Sequence, residues 1–379
     1  HYPLRRQRQM CIRDRDSTAL NPIIDLGYYL ESNQIGRNYQ DDVALTKGFY
    51  SNVFLDSISS NDSSSIYEFS HSFFVSVLDD RFRIGIKNSS FDYFQNYLID
   101  ENLTSNYLTL NYTDSIKQNT IKLKIEKGIS GYFEDELRGH FDFMYNLNED
   151  YSLAFSAKNQ ILKPHSLINN SRLNHSFYSN EFDLSNDLDI GVILIQKESN
   201  STLNIKARTL KNHIYFDTKG LAQSYNKSIN ILQIIGNKRF NFFENWNLNN
   251  RVTFQNINED SILPLPSVYT FHSLYYENDF FDKTLKVQLG ADLTYIGSYK
   301  GYRYNPSLSQ FQLREEQESL GNIYQLDLFL NLRIKKSAKI YIKMENVLQA
   351  PFNENSSRIQ DNPIPGRVLR IGLFWRMVN

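Results

Sequence analysis

A single cysteine in 379 residues, Cys11, leaves no pair for a disulfide framework and no thiolate set for zinc. No apolar run approaches the roughly 18 residues that a membrane-spanning helix requires, so helical insertion is excluded. Charge is nearly balanced, formally −1 at pH 7, which argues against a nucleic-acid partner. Enzyme signatures are missing too: there is no Gly-rich phosphate loop, no His-Glu-x-x-His helix and no Gly-x-Ser-x-Gly elbow. The seven histidines (His1, His71, His140, His165, His175, His213 and His272) are scattered without ligand spacing, so neither a metal nor a cofactor is expected. Composition does not shift along the chain either, and one continuous architecture is the simpler reading.

Aromatic residues, in contrast, are plentiful: 25 Tyr and 26 Phe, a type abundant in strands and at membrane interfaces. Hydrophobicity repeats at a period of two. In Thr284–Tyr295, Leu285, Val287, Leu289, Ala291, Leu293 and Tyr295 fall on one side of an extended strand, and Lys286, Gln288, Gly290, Asp292 and Thr294 on the other. The same split sets Tyr324, Leu326, Leu328, Leu330, Leu332 and Ile334 against Gln325, Asp327, Asn331, Arg333 and Lys335, and Leu369, Ile371, Leu373, Trp375 and Met377 against Arg370, Gly372 and Arg376. About 14–16 such segments can be counted, and no stretch of helical period competes with them.

The connections alternate in length. Tight turns are read at Asn148–Asp150, Glu198–Asn200, Glu277–Phe281 and Lys335–Ala338, with long polar stretches at Ile161–Asn186, Lys211–Lys227, Lys300–Leu320 and Leu348–Pro365. Strands of only about 9–11 residues can cross a bilayer, one face to lipid and one to a wet interior. Unpaired backbone groups in hydrocarbon cost several kcal/mol each, so such a sheet must close on itself. The fold class expected is an all-β antiparallel transmembrane barrel of outer-membrane type. Residues 1–15 are set aside as a non-native or disordered segment: they carry five arginines without an apolar core and resemble translated adapter sequence. Residues 16–379 then form one barrel domain, the carboxy-terminal part of a longer protein whose upstream region supplies the closing strands.

From about Asn212 onward the chain resembles the putative porin family of Bacteroidota outer membranes. The likeness lies in Tyr215-Phe-Asp-Thr-Lys-Gly-Leu-Ala222, Ile229-Asn-Ile-Leu-Gln233, Leu263-Pro-Leu-Pro266 leading to Tyr269-Thr-Phe-His-Ser-Leu-Tyr-Tyr276, Leu320-Gly-Asn-Ile-Tyr-Gln-Leu-Asp-Leu-Phe-Leu-Asn331, Tyr341-Ile-Lys-Met-Glu-Asn346 and the ending Pro363-Ile-Pro-Gly-Arg-Val-Leu-Arg-Ile-Gly-Leu-Phe-Trp375. The resemblance implies a large barrel in the cell outer membrane that lets small solutes diffuse across, with outer-membrane lipid and the barrel assembly machinery as partners. The step Pro365-Gly-Arg367 also resembles the barrels of TonB-dependent receptors, the alternative reading.

Pore-lining candidates follow from the polar side of the alternation: Arg138, His140, Lys286, Asp292, Asp327, Arg333, Lys339, Lys343, Glu345, Arg370 and Arg376. Their Lys and Arg content on the last strands predicts weak local attraction of anions. Tyr275, Tyr276, Tyr295, Tyr299, Tyr324 and Trp375 are candidates for interfacial girdles.

Overall fold

The computed structural model describes residues 10–12, 24–43, 48–50, 52–98, 100–315, 319–335, 337–349 and 357–376. They form a single 17-stranded antiparallel sheet, made of sixteen long strands and the short piece Met10–Ile12, which pairs with Tyr28–Leu30. The long strands are β1 (Ile24–Asp42), β2 (Ser59–Val77), β3 (Phe82–Gln95), β4 (Glu101–Ile116), β5 (Asn119–Gly131), β6 (Leu137–Asn146), β7 (Tyr151–Leu162) and β8 (Ser185–Gln196). They continue as β9 (Ser201–Lys211), β10 (Ile229–Phe242), β11 (Trp246–Ile257), β12 (Val268–Phe280), β13 (Leu285–Ile296), β14 (Ile323–Ile334), β15 (Ala338–Glu345) and β16 (Val368–Trp375). Each pairs with its sequence neighbours in an up-and-down meander. Among the described residues no ladder joins β16 to β1.

Connections alternate without exception. Tight turns at 78–81, 117–118, 147–150, 197–200, 243–245, 281–284 and 335–337 lie at one end, and the remaining connections at the other, the longest being 163–184, 297–322 and 346–367. A hairpin turn must match the right-handed twist of its strands, which calls for left-handed backbone. All the tight turns except 147–150 contain such a residue, and none of these is glycine: Lys117 has φ +58°, Asn200 +49° and Lys335 +47°. The turn read from sequence at Glu277–Phe281 instead falls at 281–284, because the ladder with β13 runs on to Phe280 opposite Leu285.

Register places apolar side chains opposite one another on one face. On β13 and β14, Val287, Leu289, Ala291 and Leu293 oppose Leu332, Leu330, Leu328 and Leu326, and the row passes to Ile340, Ile342 and Met344 of β15. These side chains meet no second sheet and no packed helix; Leu289 is 56% exposed and Ile205 47%. Aromatics rim this band. Trp246 packs edge-on against Tyr276 near the tight-turn end, and Tyr295 lies 4.6 Å from Tyr324 near the long-loop end. Tyr275 does not join a girdle: it is buried on the opposite face, above Gly290, where a Cβ would sit 2.5 Å from its own. Tyr299 lies in a loop and donates to the Arg358 carbonyl.

The polar face is the concave one, as the loops show. The connection 297–322, far along the meander, reaches back so that the Leu308 carbonyl accepts from Arg37 on the polar face of β1. His165 of the connection 163–184 likewise meets the Tyr93 hydroxyl on that face of β3, at 2.7 Å. Only the inside of a curved sheet can be reached by chords of this kind.

A cation on the convex apolar row should therefore be far more damaging than one on the concave row. Leu289→Arg should destabilise the sheet in lipid vesicles by about 2–4 kcal/mol, and Gln288→Arg, one residue away, by less than about 1 kcal/mol. Urea titration read by heat-modifiable gel mobility measures both; equal effects would show that the convex row does not face hydrocarbon.

Candidate functional site

Tracing register from strand to strand shows where the predicted pore-lining residues stand. Arg138, His140, Lys286, Asp292, Asp327, Arg333, Lys339, Lys343, Glu345 and Arg370 all lie on the concave face. Arg376 lies beyond the end of β16, at the tight-turn rim, where its amide donates to the Ser337 carbonyl. Met377 falls outside the described residues, as do residues 1–9 and 13–15.

Most of these predicted charges are matched. Lys343 Nζ lies 2.9 Å from Asp327 and 3.6 Å from Asp292, bridging two carboxylates that oppose one another across β13 and β14. Asp327 also accepts from the Asn346 amide at 2.8 Å, and Asp292 from Ser273 Oγ at 2.6 Å. Lys286 pairs with Glu277 at 2.6 Å, and Arg370 Nε with Glu345 at 2.8 Å. Arg138 is held by Glu126 and by Glu136, the latter at 2.6 Å. Carboxylates from adjacent strands thus stand against several of the cations counted on the last strands. Arg333 and Lys339, directly opposite one another and exposed, form no ion pair among the described residues.

Beyond His140, the same face carries further charges not named among the pore-lining candidates. One row runs Lys124, His140, Lys158, Asp189, Arg208 across five strands, and Arg208 binds Asp187 through both Nε and Nη2 at 2.7 and 2.6 Å. The alternation within Ile121–Lys127 already put Lys124 on the polar side; its alignment with Lys158 depends on register.

The long-loop end is roofed. Strands β1 and β2 have 19 residues each, more than a bilayer crossing needs, and their projecting ends are packed by loop residues. The hairpin Asn170–Leu173/Ser176–Ser179 brings in Asn174, whose amide nitrogen donates to Asp62 at 3.1 and 3.2 Å. Its side-chain oxygen accepts from the Leu55 and Asp56 amides, and its Nδ2 donates to Ser60 Oγ. His175 stacks on Tyr50 at 3.8 Å, and Nε2 faces both Ser60 Oγ and Asp41 Oδ2. Ser, His and Asp do meet here, but serine and carboxylate share one ring nitrogen and Ser60 is buried, so no proton relay to an accessible nucleophile exists. Beside this hub, His213–Phe216, Ala222–Tyr225, Arg303–Asn305 and Gln310–Gln312 form a four-stranded sheet from two different loops. Among the described residues no cluster of three or more metal-ligating side chains occurs.

Two outcomes test the roof. Asn174→Ala keeps the backbone donor to Asp62 but leaves the Leu55 and Asp56 amides and the Ser60 hydroxyl without this partner, at about 1–3 kcal/mol for each group left unsatisfied, so proteolysis within 163–184 should accelerate while barrel mobility on gels is unchanged. His213, beside Arg208, has its pKa lowered by burial and then by that cation. Its contribution to stability is full above the unfolded value of about 6.5 and is lost as pH falls through the lower folded value. Acid should therefore loosen the roof to protease, and His213→Gln should flatten that dependence.

Comparison with known proteins agrees with this architecture. A family model described as "Putative porin" matches residues 1–379. Among solved structures, the FrpB iron transporter of Neisseria meningitidis superposes with a TM-score of 0.64 at 12% identity, covering 96% of this chain and 63% of that one. A variant of the ferric enterobactin receptor of Pseudomonas aeruginosa gives 0.62 at 11% identity, and the siderophore receptor PirA of Acinetobacter baumannii 0.61 at 11%; each covers 92% of this chain and 59% of the receptor. The chain thus spans less than two thirds of the length of these receptors, and at such identities the likeness is one of fold. No curated protein matches. The chain belongs to the putative porin family, as an outer-membrane β-barrel protein.

Proposed function

We propose that this chain forms the wall of an outer-membrane channel through which small solutes diffuse passively, without a cofactor and without catalysing a reaction. The observation that carries the reading is the division of one continuous sheet into a convex face of exposed Leu, Ile and Val rows and a concave face lined by charges and amides. A polar inner wall keeps a water path open, and its matched charges, such as Lys343 with Asp327, offer a neutral solute no strong trap. Outer-membrane lipid and the barrel assembly machinery are the partners this reading requires, and nucleic acid has no role in it.

A second reading, the barrel of a TonB-dependent importer, is favoured by the roof of ordered loops and by the fold shared with siderophore receptors. The two differ in energetics. A diffusion channel admits solute into protein-containing vesicles with no energy source, whereas an importer needs an energised partner to release what it binds.

Liposome swelling with purified protein should show permeation of small sugars that falls as solute size rises, and intact exclusion of sugars would reject the channel. In planar bilayers under a KCl gradient, reversing two neighbouring cations that lack carboxylate partners (Arg333→Glu with Lys339→Glu) should lower the chloride-to-potassium permeability ratio by about twofold. Reversing Arg376, off the wall, should leave that ratio unchanged.

A further inference from the structure

Between the projecting polar face of β1 and β2 and the loop roof lies a cavity of about 950 Å³. Arg37 and Tyr39 enter it from β1, His165 and Tyr178 from the connection 163–184, and Tyr304 and Gln310 from 297–322. Arg37 is a cation without a carboxylate. Its single hydrogen bond among the described residues goes to the Leu308 carbonyl, and its Nε is walled off without a partner. The carboxylate that acts on it, Asp62, lies beyond ion-pair distance, with both oxygens engaged by the Asn174 amide. The other arginines of this face at Arg138, Arg208 and Arg370 are, by contrast, paired with carboxylates within 4 Å.

Placing a guanidinium out of bulk water without a counter-charge is costly unless an anion arrives to share its donors. The surroundings indicate what kind of anion. Tyr178 and Tyr304 line the cavity together with Arg37, and Ser64, Ser309 and Gln310 add hydroxyl and amide groups along the wall. Ser309 and Gln310 are exposed at the rim, so the cavity is open to a solute from the loop side. Aromatic planes beside convergent polar groups and one arginine fork suit a hydroxyl-rich molecule carrying a single acidic group.

We propose that this cavity is a binding vestibule for a small anionic saccharide, with Arg37 holding its carboxylate or phosphate and the tyrosines and Gln310 its hydroxyl-bearing body. The proposal deepens the channel reading by naming a preferred solute class, and it rests on that reading for its role in transport. Occupancy itself is a property of the roof and can be measured apart from conduction.

Isothermal titration of the refolded full chain in detergent tests it, with glucuronic acid, glucose 6-phosphate and glucose as probes. At least one acidic sugar should bind tenfold or more tightly than glucose, and comparison of the two identifies whether a carboxylate or a phosphate is preferred. Arg37→Gln should abolish the difference, and Arg37→Lys should restore part of it. Gln310→Ala, at the exposed rim, should weaken the acidic sugar by about threefold with heat-modifiable mobility unchanged, so a folding defect at Arg37 would not leave the outcome open. Equal binding of glucose and both acidic sugars, or an unaltered preference in Arg37→Gln, overturns the vestibule. Binding retained in a protein that fails to swell liposomes would sink the channel reading alone, and swelling without selective binding would sink the vestibule alone.

Discussion

Everything in this molecule depends on the antiparallel ladder that satisfies backbone amides where water is absent. A peptide group left unpaired in hydrocarbon costs several kcal/mol, more than any side-chain contact here could offset. The ladder runs without interruption from β1 to β16, with one register shift between Asn106 and Tyr107 on β4. Because paired strands fix which residues stand opposite, the same ladder lays out the convex apolar rows and the concave polar rows. The wall's chemistry is thus a by-product of backbone pairing, as the bridging of Asp292 and Asp327 by Lys343 shows.

That concave wall behaves as a paired lattice. Carboxylates from adjacent strands take up the cations at Arg138, Lys286, Lys343 and Arg370, which lowers the cost of holding each charge in a confined, poorly solvated space. Exposed pairs of this kind add little stability, about 0–1 kcal/mol each, and their effect is chiefly on the field inside. A wall of matched charges is polar without being strongly selective. Cations outside the lattice, such as Arg333 and Lys339 near the turns, Lys124 and Lys158 beside His140 and Arg37 under the roof, are where selectivity can arise.

The roof ties together parts of the chain that the ladder leaves apart. Tyr50, between β1 and β2, accepts from the Ser307 amide, and Arg303 lies 3.9 Å over the Phe49 ring. The connections between early and late strands are thereby stapled at the long-loop end, where no ladder joins β16 to β1 among the described residues. The hub around Asn174 and His175 combines a hydrogen-bond network with the stacked His175 and Tyr50 rings and the buried Leu173, so polar satisfaction and packing hold it together.

Much of the wall was legible because alternation is a local property: residues two apart share a face whatever the partner strand, so Lys286 and Asp292 could be assigned before any pairing was known. The least legible strands were β1 and β2. Ser59-Ser-Asn-Asp-Ser-Ser-Ser65 is polar on both faces because this part of the strand projects past the apolar band, and a segment that touches no lipid carries no stripe. Local patterning alone dictates the strand-rich class, the sidedness of most strands and the alternation of tight and long connections, since each is set by neighbours a few positions apart. Which charges meet, which end is roofed, and the cavity at Arg37 were decided only in the tertiary structure, because they depend on register between strands and on contacts such as Arg37 with Leu308 that no local pattern encodes.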